Sequence, residues 1–269
     1  MERSRPSMDT VCSRRQVCAL AALPLFPPPP AHAVQSSAEP FATNAPAAKE
    51  AVPLSWVAGD LPPFAWQGQL GPEGYAYDLA QLMAERLGRR DTVSFFPWAR
   101  AVRLVETGEA GGVFPLARTP DREHKFRWLI LLMHVSYSFV GRTGERARGL
   151  SALRAARIGV LRGSPIIRNL QAERFRHIIE AKDYRELLRM LHGGMLTAIY
   201  AGTPMLNAAI ELNGYARSDF LTLASLGEAD LYMGVSLRMA ETEVERWLWA
   251  YQQLVADGSV ARLHQRYLK

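Results

Sequence analysis

The residues with the most chemical potential lie in the stretch 114–128, where an apolar strand end, Phe114-Pro115-Leu116-Ala117, runs into Arg118-Thr119-Pro120-Asp121-Arg122. Thr119 before Pro120 has the form of a helix N-cap with proline at the first helical position, because a threonine oxygen accepts from an orphan amide and proline has none to offer. Arg122 then falls in the first turn of a short helix just beyond a strand. Its planar, permanently charged guanidinium is a fork of donors suited to a carboxylate. The competing reading is a surface arginine paired with Asp121 or Glu123. A second anion-ready place is Ile158-Gly159-Val160-Leu161-Arg162-Gly163-Ser164-Pro165, which reads as strand, tight loop and then Ser164 as N-cap, leaving unpaired amides at the positive end of a helix dipole. Plain helix capping accounts for it equally well. If the two places face each other, Arg122 from one side and the helix start at Ser164 from the other grip one carboxylate, in a cleft that closes by hinge motion.

Other chemistries find little support. The six histidines, His32, His124, His134, His177, His192 and His264, show no metal-ligand spacing with a carboxylate between them, so no metal site is expected. There is no phosphate loop ending in Gly-Lys-Ser/Thr. Gly163-Ser164-Pro165 lacks the second glycine of a nucleophile elbow, and the proline removes an amide that an oxyanion hole uses. No catalytic residue and no cofactor are expected.

The elements that position these residues alternate. A strand at 54–58 is broken by Gly59-Asp60-Leu61-Pro62-Pro63-Phe64. Leu79, Leu82, Met83 and Leu87 recur at helical spacing up to Gly88. A strand at 93–96, a helix at 97–107 opened by Pro97, and a strand at 111–116 follow. After an extended crossing segment at 128–140 and a polar block at 141–149 the alternation resumes. It runs as strand 157–161, helix 165–174, strand 177–180, helix 183–192, strand 197–200 and a helix from Thr203-Pro204 to Asn213-Gly214. Asp183 and Glu186 have capping-box spacing. A strand at 231–236 leads to a closing helix with the stripe Trp247, Leu248, Tyr251, Leu254 and Val255, then a short helix at 259–267. Strand and helix in alternation predict an α/β fold of parallel sheets flanked by helices, and two successive sets predict two lobes.

A chain of 269 residues, 48% hydrophobic, can bury a full core. Residues 1–33 read as an export signal: Arg14 and Arg15, an apolar run at 17–26, then Ala31-His32-Ala33 as a cleavage site. The paired arginines fit a twin-arginine signal and an ordinary secretion signal alike. Both cysteines, Cys12 and Cys18, fall inside it, so the mature domain relies on its core without a disulfide. Residues 34–52, rich in alanine, serine and proline, read as a flexible tether. No later stretch has the ~18 uninterrupted apolar residues of a membrane span, so a soluble, periplasmic protein is expected. The net charge of +6 is mild and its basic residues are dispersed, which gives no support to nucleic-acid binding.

From about Pro53 to Lys269 the chain resembles the type II periplasmic solute-binding proteins, specifically the extracellular solute-binding family 3 that serves polar amino-acid ABC transporters. The resemblance rests on Pro63-Phe64 after the first strand, Gly74-Tyr75 followed by Asp78-Leu79, Gly108 before the third strand, Thr119 and Arg122 ahead of Phe126, Gly163-Ser164 in the second lobe, and Asp257-Gly258 leading to Tyr267. It implies lobe 1 at 53–140 plus 231–269 and lobe 2 at 141–230, joined by two crossover strands. It implies further that Arg122 holds a ligand carboxylate, that Thr119 and Ser164 assist, and that Trp98 stacks on the ligand, where Trp98 otherwise reads as core. Phe64 lines the cleft or supports the turn. The implied partners are a small carboxylate-bearing solute and the permease of a membrane ABC transporter, with the protein itself a monomer. The sequence departs from the family pattern at Ala117, where a serine is common, at Leu61, often aromatic, and at Gly202, where an aspartate usually receives the ligand's amino group. Asp60 is the acid available to substitute. An enzyme of dehydratase type on the same fold would need a cleft acid or base, with Asp60 or Glu228 the candidates, and a ligand-sensing partner of a membrane receptor is a third reading.

Overall fold

The structure is a computed structural model that describes residues 54–147 and 149–268. The export signal, the tether, Pro53 and both cysteines lie outside the described residues.

The chain opens with β1 (Ser55–Ala58), crosses a small hairpin of β2 (Trp66–Gln67) and β3 (Pro72–Glu73), and enters α1 (Tyr75–Arg86). There follow β4 (Thr92–Phe95), α2 (Trp98–Glu106) and β5 (Gly112–Ala117), then a 3₁₀ turn at Pro120–Arg122 and the 17-residue β6 (Phe126–Arg142). A short α3 (Gly149–Leu153) leads to β7 (Arg157–Leu161), α4 (Ile166–Ala172), β8 (His177–Ala181), α5 (Tyr184–His192), β9 (Ala198–Gly202) and α6 (Thr203–Leu212). A second long strand, β10 (Phe220–Ser236), returns the chain to α7 (Glu241–Ala256) and α8 (Ser259–Tyr267).

Eight strands form one sheet in the order β4-β1-β5-β10-β6-β9-β7-β8. The triplet β4-β1-β5 is parallel, and so is β9-β7-β8. Between the triplets β10 and β6 run antiparallel to each other along most of their length. This places the carboxyl ends of all six short strands, and the loops that follow them, toward one another, which is where ligands collect in open α/β sheets. On β1, Trp56 is fully buried between Phe114 at 5.4 Å and Trp247 at 5.2 Å. A second aromatic stack, Phe139 on Tyr200 at 4.4 Å and on Phe175 at 5.1 Å, fills the core around β6 and β9.

The α/β alternation holds, with four instructive differences. The strand expected from Leu231 begins eleven positions earlier, at Phe220. The hairpin of β2 and β3, and α3, carry no apolar period and were not expected. In the closing helix Val255 is exposed, while Trp247 and Leu254 are buried. The helix expected to be capped by Ser164 starts at Ile166 with Pro165 as its cap, and neither that start nor the turn capped by Thr119 has a side-chain cap bond. Asp183, by contrast, accepts from the amide of Glu186 at 2.7 Å, and the Glu186 carboxylate in turn accepts from the amide of Lys182 at 3.1 Å. Asp183→Ala therefore costs about 1 kcal/mol of stability, read as a lower urea midpoint at unchanged slope.

Candidate functional site

Arg122 sits in the 3₁₀ turn directly after β5, where Pro120 fixes the backbone and the Arg122 amide closes the turn on the Thr119 carbonyl at 2.9 Å. That turn swings the side chain inward. Only 6% of the residue is exposed, an uncommon fate for arginine without a partner. Nη1 donates to the Ala117 carbonyl at 3.2 Å and Nη2 to the Gly163 carbonyl at 3.3 Å. Among the described residues no carboxylate lies within ion-pair distance of it. Burial lowers its pKa, with the charge of Asp121 the main opposing influence. Two of its five N–H groups are therefore engaged, and only by neutral carbonyls, which leaves a desolvated positive charge with donors to spare.

The bond to Gly163 brings the loop after β7 onto the turn after β5, the meeting that the sequence suggested. Two further contacts mark the same seam. Arg168 of α4 pairs with Asp121 at 3.0 Å, and a Cβ added to Gly163 would lie 2.7 Å from the Ala99 Cβ of α2. Thr119 faces Asp121 instead of open space: its hydroxyl donates to that carboxylate at 2.9 Å. Burial pushes the Asp121 carboxyl up, but this bond and the Arg168 charge outweigh it and hold the group below its usual value. Ser164 is half-buried beside Gly163.

Trp98, 6% exposed, opens α2 and lines a cavity of about 210 Å³ with Leu61, Phe96, Leu161, Lys182 and Asp183. Asp60 lines this cavity and a larger, polar one of about 840 Å³ between the β2/β3 hairpin and the helices α5 and α6. Desolvation raises the Asp60 pKa, opposed by a backbone bond from Gln67 and by the charge of Arg185. Phe64 takes the second of its two expected places. It is fully buried, edge-on to Tyr75 at 6.5 Å, and forms part of neither cavity wall. Leu61 closes the small cavity where an aromatic ring was the family pattern. Ala117 contributes only its carbonyl to Arg122, a bond that a serine would not improve. Glu228 lies on the outer, exposed face of β10, where its carboxylate and that of Asp230 flank His134 at 3.1 and 2.8 Å. Those two bonds, Asp230 first, raise the pKa of His134. Among the described residues no helix is long and apolar enough to cross a membrane.

Two residues that the sequence did not mark as contacts stand near these features, Tyr137 toward Arg122 and Asp183 at the cavities. Tyr137 of β6 is buried, and Arg122 is close enough for its charge to act on the phenol. Asp183, which reads in sequence as a helix cap only, also forms part of both cavity walls. The alternation Ser136-Tyr137-Ser138 gave the face of Tyr137 but no hint of what it faces.

An open α/β sheet with two parallel triplets, two long connecting strands and a buried arginine at the facing loops defines the class of the periplasmic binding proteins. The chain belongs to the bacterial extracellular solute-binding proteins, family 3, whose pattern it matches over residues 56–269. No curated protein matches its sequence. Similar solved structures include an ancestral arginine-binding protein bound to arginine, at 16% identity and TM-score 0.72, covering 80% of this chain and 98% of that one. A substrate-binding protein of an ABC uptake transporter from Streptococcus pneumoniae with bound histidine is 15% identical at TM-score 0.73, covering 80% and 92%. A histidine kinase sensor domain with similarity to periplasmic binding proteins is 19% identical at TM-score 0.71, covering 80% and 96%. At these identities the likeness concerns the fold.

Proposed function

We propose that this protein is an exported, monomeric binding protein that captures a small carboxylate-bearing solute, an amino acid or a relative of one, and presents it to a membrane ABC transporter. The lobes are 53–140 with 231–269, and 141–230, with β6 and β10 as the hinge and the facing loops as the closing cleft. The observation that carries this reading is Arg122: buried, charged and bonded only to two carbonyls. Such a group is costly to hold unless an anion completes it. Arg122 holds the carboxylate, Ser164 and Thr119 border it, and Trp98 packs on the body of the solute with Asp60 at the far end. Family membership and the neighbour from an ABC uptake transporter support delivery to a permease, and the kinase-domain neighbour is the reason to test sensing as well. The protein acts by binding, without catalysis: Glu228, one of the two acids suited to proton transfer, faces solvent on the hinge strand beside His134.

A thermal-shift screen of amino acids, dicarboxylates and small peptides tests the proposal, because a ligand that binds only the folded form raises the melting temperature by mass action. Carboxylates are expected to give shifts that their amides do not. A hit that is consumed on incubation would assign an enzyme instead.

A further inference from the structure

The small cavity beside Trp98 is built by loops that face one another across the sheet. Leu61 comes from the loop after β1, Phe95 to Trp98 from the end of β4 and the start of α2, Leu161 from the end of β7, and Lys182 with Asp183 from the step between β8 and α5. Both parallel triplets therefore contribute to its wall. Six of its nine lining residues are apolar, and three of those carry aromatic rings, Phe95, Phe96 and Trp98. Each ring is braced by a neighbour: Phe95 by Tyr77 at 6.4 Å, Phe96 by the Arg100 guanidinium at 4.8 Å, and Trp98 by Gly59, where a Cβ would stand 3.1 Å from the indole. Leu61 and Leu161 are both buried. The three charged residues do not give the cavity a polar centre. Asp60 and Asp183 also line the larger polar cavity, so they stand where the two meet. Asp183 is held there by its cap bond to the Glu186 amide and Asp60 accepts from the Gln67 amide at 3.4 Å, while Lys182 is exposed.

Resting on the reading that a carboxylate-bearing solute is captured between these facing loops, we propose that the small cavity receives an aromatic ring of that solute, so that the protein selects aryl-bearing acids over those with short or polar side groups. At about 210 Å³ the space is larger than the ~150 Å³ in which an apolar protein cavity holds benzene. A ring placed there lies among Phe95, Phe96 and Trp98, where offset and edge-on contacts add to the burial of apolar surface. Leu61 and Leu161 meet it from opposite triplets. A polar chain in the same place would lose its water to a wall that offers few partners in return. Burial of a phenyl group strengthens binding by roughly ten- to hundred-fold.

Calorimetry with two series that keep the carboxylate end constant decides this: the amino acids glycine, glutamine, arginine, phenylalanine and tryptophan, and the acids acetate, glutarate, 3-phenylpropionate and 3-indolepropionate. Within a series that binds, the ring-bearing members should bind roughly ten-fold or more tightly than the others. Leu161→Phe, which puts a ring of the protein's own into the cavity, should cut that preference by about ten-fold, and Trp98→Leu, which removes one of the rings that line it, should cut it as well. The quantity read is the ratio of affinities within one series, which a general loss of stability does not move, and urea unfolding shows that each variant is folded. Glutamine, arginine or glutarate binding as tightly as the ring-bearing members, or a ratio that both variants leave intact, overturns the inference and leaves the carboxylate reading standing. Two series in which no member binds overturn the carboxylate reading and the inference together.

Discussion

Arg122→Ala should weaken binding of the best-bound carboxylate by about 3 to 5 kcal/mol, roughly 10²- to 10⁴-fold, since it strands a desolvated anion in the cleft without its counter-charge. Its effect on the unliganded fold should be much smaller. The guanidinium's two bonds are to carbonyls, at 3.2 and 3.3 Å, and losing them is offset by no longer holding an unpaired charge out of water. Arg122→Met, of similar length and uncharged, isolates this point: its unfolding free energy should lie within about 2 kcal/mol of wild type while affinity collapses as in the alanine variant. Arg122→Lys keeps the charge and loses the fork, so its affinity should fall between that of wild type and those of the two uncharged variants. Titration calorimetry together with urea unfolding reads both quantities. If affinity survives in Arg122→Met, or if it falls only in step with stability, the arginine is a structural residue and the proposed site lies elsewhere.

How far the sequence foretold this arrangement depends on whether the cause is local or distant. Arg122 was legible because the signals are local: a threonine and a proline after an apolar strand end specify a turn, and a turn there aims the third residue inward. The Asp183 cap was legible for the same reason, and its carboxylate does bond the Glu186 amide at 2.7 Å. The first half of β10 was not. Ser225-Leu226-Gly227-Glu228-Ala229-Asp230 has no continuous apolar pattern, and it is strand because β6 pairs with it almost throughout, with the register shifting between Ser225 and Glu228. Pairing with a segment some ninety residues away leaves no trace in a local pattern. Tyr137 escaped notice for a related reason: its neighbour across the sheet, Gly202 at the end of β9, is set by strand register, which no local pattern records. Phe64 shows what a local pattern leaves open: an aromatic next to a cleft-forming turn can line the cleft or support the turn, and only its packing against Tyr75 and the bonds of its carbonyl to the start of α1 show that it lies underneath.

Gly163→Ala separates the proposed closure from simple occupancy. Gly163 has φ of +76°, so a side chain there is strained by about 1 to 2 kcal/mol in any arrangement of the lobes, and that part of the effect lowers stability without touching affinity. The second part exists only when the loop after β7 meets α2. An added Cβ would then stand 2.7 Å from the Ala99 Cβ and 2.9 Å from its Cα, atoms that no rotamer change can move aside. Overpacking of this kind costs about 1 to 3 kcal/mol, charged entirely against the closed form, and it predicts affinity lower by roughly 10- to 100-fold. Ligand-induced compaction by small-angle scattering should weaken in parallel. Ala99→Gly removes the nearer of the two atoms, so the double variant should recover part of the lost affinity while keeping the whole of the backbone strain, a coupling that a double-mutant cycle measures directly. An affinity for Gly163→Ala equal to wild type would mean that the ligand is held without the two loops meeting, and the hinge would then have no part in capture.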